Sequence, residues 1–201
     1  RRADVPPIRS EAPVDIPTDL TLAQRERLPE ALRVLLDEIP RNAWPTHNNF
    51  GGMVEFWLQR HLMFRELLER LETETQDRLD NKVDAQGYGA RLSRLGGFFL
   101  QQLHGHHQIE DTHYFPQLTK LDTRLVRGFD ILDADHHALD GLLNDFATRA
   151  NAVLQAPEKT ARDATGAFGA QLVTFKGFLN RHLLDEEDLI VPVILKTGFD
   201  G

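Results

Sequence analysis

The sequence predicts an all-α protein: an up-down-up-down four-helix bundle preceded by an N-terminal arm and a short extra helix. Three observations support this prediction. Apolar residues recur at steps of three and four along four long segments, a spacing typical of bundled helices and unlike the period of two of a strand. The breaks between these segments are short, which favours antiparallel neighbours. Hydrophobic residues make up 41% of the 201 residues, enough to bury a core.

The first part of the chain, residues 1–48, is predicted to be an extended arm followed by a short helix. Four prolines and no periodicity within residues 1–20 indicate extended chain. Thr21 is a candidate cap for a helix whose apolar positions keep helical spacing. These positions are Leu28, Leu32, Leu35 and Ile39. A stretch with two prolines and three asparagines then breaks the pattern.

Four amphipathic segments make up the bundle predicted over residues 49–201, and we name them segments A to D. Segment A covers residues 49–79, segment B 88–118, segment C 123–155 and segment D 158–189. In each segment one histidine occupies a position on the apolar face that Leu or Phe fills elsewhere. These histidines are His61, His106, His136 and His182. On segment B the same face continues through Glu110 to His113.

Net charge and cysteine content exclude several function classes. The chain has 23 Lys and Arg against 31 Asp and Glu, a formal net charge of −8, which argues against non-specific binding to nucleic-acid phosphates. It has no cysteine, so disulfides, thiolate zinc sites, iron–sulfur clusters and cysteine nucleophiles are excluded.

No apolar run in the sequence approaches the roughly 18 residues of a membrane span, and residues 1–10 lack the apolar stretch of a signal peptide. We therefore expect a cytoplasmic protein that binds neither nucleic acid nor membrane. Because the sequence does not begin with methionine, a removed leader stays open as an alternative.

Segments A–B and C–D have the spacing of an internal repeat. His61 and His106 are 45 residues apart, and His136 and His182 are 46 apart. In segments B and D a glutamate follows the histidine by four residues, one helical turn along the same face. These glutamates are Glu110 and Glu186. Antiparallel packing then brings all six polar side chains to one level of the bundle.

A buried layer of six polar groups needs a compensating charge. Burying an unpaired carboxylate costs several kcal/mol, and a neutral imidazole still needs a partner. A bound cation removes most of this cost, and imidazole with carboxylate but no thiolate suits iron, manganese or zinc. Because six donors exceed what one tetrahedral zinc takes, the natural interpretation is a two-metal site bridged by the carboxylates. The alternative is a helical adaptor whose histidines bind nothing, since a single core histidine is more often a packing residue than a ligand.

With these motifs the sequence resembles the hemerythrin-like family, also called the HHE cation-binding domain family. The family pattern is one His on the first helix, H-x-x-x-E on the second, one His on the third, and H-x-x-x-E on the fourth. It corresponds here to RHLMFRELL, HGHHQIEDTHYFP, ADHHALDGLL and RHLLDEEDLIVP, within about residues 49–196. The resemblance implies a non-haem centre of two iron ions, of the Fe–O–Fe type and bridged by two carboxylates, that binds O2 or senses iron, oxygen or redox state. Its implied ligands are His61, His106, Glu110, His136, His182 and Glu186.

The resemblance leaves the seventh ligand open. Oxygen-carrying members have a second histidine one turn after that of the third helix, where this chain has Asp140. Other members use the residue directly after the second-helix histidine, here His107. At about 100° per residue, Asp140 faces the same side as His136, whereas the short Asp side chain favours His107. We hypothesise that His107 completes the ligand set and that Asp140 forms a buried pair with Arg65.

Residues near the predicted site carry further expectations. His113 and Tyr114 follow Glu110 toward one end of the site, where they donate hydrogen bonds to the ligands or line an access path. Three acidic residues beside Glu186 are predicted to form a solvated face. They are Asp185, Glu187 and Asp188.

Three functions are compatible with such a site. The first is a module that binds or senses O2, nitric oxide or peroxide at iron; sensing would require a separate, unidentified protein partner. The second is an oxidoreductase acting on O2 or peroxide, in which His113 or Tyr114 moves a proton or an electron. The third is a ferritin-like di-iron protein, for which Glu110 and His113 match one Glu-x-x-His motif. The corresponding position in the repeat is Leu189, which disfavours the third function.

Overall fold

The structure is a computed structural model that describes residues 14–201. Within these residues all regular structure is helical, and no strand is present. We number the α-helices in chain order: α1 Val34–Glu38, α2 Gly52–Leu79, α3 Ala85–Ile109, α4 Phe115–Leu118, α5 Val126–Gln155 and α6 Glu158–Thr197. Short 3-10 turns cover Thr18–Leu20, Glu30–Leu32, Arg41–Thr46 and Thr123–Leu125, and a π turn covers Glu110–Tyr114.

The all-helical prediction is confirmed for this part of the chain. The portion of the predicted arm over residues 1–13 lies outside the described residues. Among the helices of residues 14–201, none combines the length and the apolar character needed to cross a bilayer.

The ends of the long helices follow the local sequence. Asp84 caps α3, because its side chain accepts a hydrogen bond from the backbone N–H of Gly87 at 2.7 Å. Pro157, with its extended backbone, directly precedes α6. Gly198 ends α6: its φ of 69° is left-handed, and its N–H bonds to the carbonyl of Ile194.

Segment D forms a longer helix than the sequence predicts. The predicted end is Leu189, but α6 runs on to Thr197 through Pro192, which lacks the N–H that continues a helix. Residues 189–195 are buried, and α1 packs against α6. Tertiary packing therefore outweighs the loss of one backbone hydrogen bond.

The four long helices pack in a ring. α2 contacts α3 and α6, and α5 contacts the same two helices. Between α2 and α3 the contacts run in opposite chain directions: His61 lies beside His106, and Thr75 beside Tyr88. The molecule is therefore a helical bundle in which all four long helices meet around one core.

A layer of buried polar residues divides this core into two hydrophobic clusters. We name the first the end cluster; its members include Val54, Trp57, Phe115, Leu132 and Leu189. We name the second the middle cluster; its members include Phe64, Leu103, Leu139, Phe146 and Leu183. The polar residues lie between them along each helix, as His61 follows Trp57 and precedes Phe64 on α2.

The short helix predicted to begin at Thr21 is smaller than expected. Only Val34–Glu38 is α-helical, and Glu30–Leu32 forms a 3-10 turn. Pro29 precedes that turn with an extended backbone, which starts a new element rather than continuing one. Three of the four apolar positions are buried all the same: Leu28, Leu32 and Leu35 join the end cluster, and the partly buried Ile39 packs against it.

The helical face of segment B is interrupted after Glu110. In the π turn the N–H of Phe115 bonds to the carbonyl of Glu110, five residues back. Pro116 follows immediately and has no N–H to donate. Because the turn holds one extra residue, Phe115 becomes the next buried side chain and His113 is exposed. The prediction that His113 lies on the buried face is therefore wrong.

Candidate metal centre

Six residues of the polar layer converge on one place, carried by the four long helices and the π turn. They are His61, His106, Glu110, His136, His182 and Glu186, and none is more than 8% exposed. In each of the four histidines Nε2 points inward, since it lies within 3.5 Å of a carboxylate oxygen of Glu110 or Glu186. The packing of the four long helices brings these side chains together from distant parts of the chain.

Four of these side chains form a first donor group, whose donor atoms all lie within 4.8 Å of one another. They are His61, His106, Glu110 and Glu186. The Nε2 atoms of His61 and His106 are 3.2 Å apart, and Nε2 of His106 is 2.9 Å from Oε1 of Glu110. Such a cluster of imidazole and carboxylate donors can hold a metal ion.

A second donor group contains His107, His136 and His182, again with donor atoms within 4.8 Å of one another. The Nε2 atoms of His136 and His182 are 3.1 Å apart. Glu110 and Glu186 reach this group as well, because Oε2 of Glu110 is 3.5 Å from Nε2 of His136 and Oε2 of Glu186 is 3.3 Å from Nε2 of His182. The two carboxylates therefore lie between the two groups.

The buried donor atoms fit cations better than they fit a hydrogen-bonded network. Among residues 14–201, both ring nitrogens of His107, both oxygens of Glu110 and Oε2 of Glu186 have no hydrogen-bond partner. Glu110 is close to His106, but the contact lacks hydrogen-bond geometry. A buried polar group without a partner costs about 1–3 kcal/mol. Cations placed among these atoms would supply partners for the carboxylate oxygens and for one nitrogen of His107.

Acidic residues hold the outward-facing nitrogens of three donor histidines. Nδ1 of His61 donates to Glu187 at 3.0 Å, that of His136 to Asp111 at 2.7 Å, and that of His182 to Asp135 at 3.1 Å. Because an ionised carboxylate can only accept, each bond places a proton on Nδ1 and directs Nε2 toward the centre. Histidines that bind metals commonly have such carboxylate partners.

The sequence profile of the hemerythrin HHE cation-binding domain matches residues 52–194. The chain belongs to this family. All seven residues of the two donor groups lie within the matched range. No curated protein and no solved structure shows a significant match to the chain. The hemerythrin HHE domain is a cation-binding domain, in agreement with the donor groups.

Burial and neighbouring charges shift the pKa values of the donor histidines of this hemerythrin HHE domain in different directions. Burial lowers the pKa of His106 to about 3, and burial together with the neighbouring imidazoles holds the pKa of His107 well below its usual value. For His182 burial also acts downward, but hydrogen bonds to Asp135 and Glu186 raise the pKa to about 9. A histidine binds a metal in its neutral form, so a cation at His182 must displace a proton, whereas His106 and His107 are already neutral.

The buried pair predicted between Asp140 and Arg65 does not form. Asp140 is exposed, with a carboxylate oxygen 3.9 Å from Nδ1 of His104, which is also exposed. Arg65 instead donates to Glu187 at 2.9 Å. After His136 the buried face of α5 continues through Leu139 and Leu143, and Asp140 lies outside it.

His113 and Tyr114 take different places in the hemerythrin HHE domain. His113 is exposed on the π turn, so the Glu-x-x-His motif of a ferritin-like site does not bring it to the donors. Tyr114 is half-buried, and its ring meets that of Trp57 edge-on with centroids 5.1 Å apart. Trp57 donates its indole N–H to Oε1 of Glu186 at 2.5 Å. Tyr114 is therefore one aromatic ring away from a donor carboxylate.

The acidic residues around the donors are largely absent from the sequence-based expectations. The solvated face predicted for Asp185, Glu187 and Asp188 is wrong for the first two, which are 0% and 3% exposed. Asp111 and Asp135 were also missed, although they bond to donor histidines. The signal that points to them is adjacency: Asp111, Asp135, Asp185 and Glu187 each directly precede or follow a donor residue.

Proposed function

We propose that the chain is a non-haem di-iron protein of the hemerythrin type, folded as an up-down-up-down four-helix bundle. In this proposal it binds or senses O2, a related small ligand, or the iron and redox state of its surroundings. One observation carries the proposal: two adjacent donor groups share Glu110 and Glu186, and buried donor atoms in them have no hydrogen-bond partner among the described residues. Iron suits these donors, and zinc and manganese are the alternatives.

The proposed ligand sets follow the two donor groups. His61 and His106 would hold a first ion, His107, His136 and His182 would hold a second, and Glu110 and Glu186 are near enough to serve both. The first group offers two imidazoles and the second offers three. The first group would therefore leave more room for a small ligand. Two iron ions would supply reversible electron exchange with such a ligand.

The surrounding residues orient the imidazoles and exclude water. Phe115 stacks on His136 with ring centroids 5.4 Å apart, and Phe64 packs on His106 at 5.2 Å. The Nδ1–H bonds to acidic partners fix the direction in which each ring points. Aromatic walls and fixed imidazoles favour a site that admits small uncharged molecules rather than bulky substrates.

An oxidoreductase acting on O2 or peroxide is the second candidate function. The observation that favours it is the contact of Tyr114 with Trp57, which bonds to the proposed bridge Glu186. A phenol and an indole so close to the centre can exchange an electron or a proton with it. Steady-state consumption of peroxide by the iron-loaded protein would support this function, and binding without turnover would support the first.

Metal analysis combined with an optical spectrum tests the main proposal. Protein produced in iron-replete medium is expected to contain close to two iron ions per chain and to show near-ultraviolet charge-transfer bands that shift when azide is added. The variant His104→Ala is the matched control for the donor histidines, because His104 lies on α3 together with His106 and His107 but is exposed. A constant content of one zinc ion per chain, independent of iron supply, would contradict the proposal.

A further inference from the structure

Residues 14–48, which we name the N-terminal segment, lie outside the range of the family match, yet they supply two arginines to the surroundings of the candidate metal centre. Arg25 and Arg41 each bond to an acidic residue that in turn bonds to a donor histidine. The two arginines serve different donor groups, because Arg25 leads to His182 and Arg41 leads to His61. The segment therefore approaches both halves of the centre.

Arg25 makes the closer connection. Its side chain is 1% exposed, and its Nη1 donates to Oδ1 of Asp135 at 2.8 Å while its Nη2 donates to the second oxygen of the same carboxylate. That second oxygen, Oδ2, also accepts from Nδ1 of His182 at 3.1 Å. The guanidinium, the carboxylate and the imidazole thus form one continuous hydrogen-bonded path.

Arg41 is placed differently. It donates to Oε2 of Glu187 at 2.9 Å, and Oε1 of Glu187 accepts from His61 at 3.0 Å. Arg41 is 40% exposed, however, and Arg65 also donates to Glu187. Glu187 keeps Arg65 as a partner when Arg41 is removed. The path to His61 therefore depends less on Arg41 than the path to His182 depends on Arg25.

The N-terminal segment is packed firmly enough to fix Arg25. Nη1 of Arg25 also donates to the carbonyl of Leu20 at 2.9 Å, and its Nε donates to Asp185 at 2.7 Å. Arg181 of α6 donates to the backbone carbonyl of Glu26. Leu28, three residues after Arg25, is 1% exposed. The Arg25 guanidinium is therefore fixed by the backbone carbonyl of Leu20 and by the carboxylates of Asp135 and Asp185.

We infer that Arg25 is a positioning residue of the metal centre: it orients Asp135, which holds His182 with Nε2 directed at the metal. The inference rests on the proposed function, since it concerns the same donors. Without Arg25 the buried Asp135 carboxylate would be free to rotate away from Nδ1 of His182. By linkage, metal binding and docking of the N-terminal segment then stabilise each other.

The test measures the binding of Co2+ alone, whose visible absorption spectrum reports on ligand geometry, to the full-length protein. Arg25→Met removes the charge with little loss of volume, and Arg25→Lys keeps the charge without the paired N–H groups. Asp135→Asn removes the intermediate carboxylate. Arg181→Met is the matched control, because Arg181 also bonds to Asp185 and to the N-terminal segment but does not contact Asp135.

We expect Arg25→Met and Asp135→Asn to weaken Co2+ binding by about tenfold or more, the effect typical of residues that orient metal ligands. Both variants should shift the visible spectrum in the same way, and adding Arg25→Met to Asp135→Asn should change little, since both act through one path. Arg25→Lys should restore part of the affinity. Arg181→Met should lower the melting temperature of the metal-free protein but keep the wild-type spectrum.

Two results would overturn the inference. One is wild-type affinity and spectrum in both Arg25→Lys and Asp135→Asn, variants that remain informative even if Arg25→Met does not fold. The other is an equal loss of affinity in the Arg25 and Arg181 variants, which would mean that both only hold the N-terminal segment in place. In either case wild-type protein that binds two Co2+ ions keeps the proposed function intact, whereas wild-type protein that binds none contradicts that function itself.

Discussion

His107 stacks on His136 with ring centroids 4.1 Å apart and planes inclined by only 15°. It is 3% exposed, and neither of its nitrogens has a hydrogen-bond partner within residues 14–201. The stacked neighbour explains where the ring lies but leaves both nitrogens unpaired. A metal ion shared with His136 and His182 would account for the position of the ring and would give one of the two nitrogens a partner.

The first prediction concerns His107 as a ligand. His107→Ala should remove about one metal ion per chain or alter the charge-transfer spectrum, because the second donor group would keep only two imidazoles. His104→Ala and Asp140→Asn should retain both ions and change the free energy of unfolding by less than about 0.5 kcal/mol, since both side chains are exposed. Metal analysis and urea unfolding check these outcomes. Full metal content together with an unchanged spectrum in His107→Ala would contradict the assignment.

The second prediction concerns metal removal. The metal-free protein should melt at a lower temperature, because the unpaired atoms of Glu110 and His107 lose their partners. At a free metal concentration one hundred times Kd, the loaded protein should gain about 2.7 kcal/mol for each ion that it binds. Calorimetry and amide exchange in α3 and α6 measure the effect. The same melting temperature with and without metal would mean that the donors do not bind it.

The third prediction concerns Trp57, whose indole N–H donates to Glu186. Trp57→Phe should cost about 1.5–3 kcal/mol in the free energy of unfolding, as expected for a hydrogen bond to a charged group, and should also alter the iron spectrum. Trp44→Phe is the control, because Trp44 donates to the backbone carbonyl of Ile39 instead. That variant should lower stability only. If both variants leave the spectrum unchanged, Trp57 has no part in orienting Glu186.

The fourth prediction concerns alkaline pH and a residue remote from the metal centre. Burial raises the pKa of Tyr88, and the hydrogen bond between Tyr88 and Thr75 opposes this effect. Above pH 10 the unfolded chain therefore releases the Tyr88 proton before the folded protein does, and the free energy of unfolding falls as pH rises. Tyr88→Phe should show a smaller loss of stability between pH 9 and about 11. Equal losses in both proteins would show that Tyr88 does not contribute.

Much of the site geometry could be predicted from the sequence because it depends on periodicity within single helices. His61, His106, His136 and His182 stand where Leu or Phe is otherwise found, and a regular helix fixes their direction. The convergence of these residues then follows from antiparallel packing. Their assignment as ligands stays a prediction.

The remaining parts depend on contacts that no local pattern records. His113 was misplaced because the π turn next to Pro116 shifts the register by one residue. Arg25 lies in a non-periodic stretch, and its partners Asp135 and Asp185 are more than 100 residues away in the chain. Glu187 lies beside other acidic residues, a pattern usually found on surfaces. Its burial is compensated by Arg41 and Arg65, which lie on other elements and donate hydrogen bonds to its carboxylate.

The polar layer between the end cluster and the middle cluster has a consequence for how the molecule unfolds. Hydrophobic contacts spread cooperativity through a core, and a layer of imidazoles and carboxylates interrupts them. In the metal-free protein, the end cluster and the middle cluster should therefore unfold in separate steps. The main link between them is α6, which is 40 residues long and contributes to both clusters. Metal ions that join ligands from all four long helices should merge these steps into a single transition.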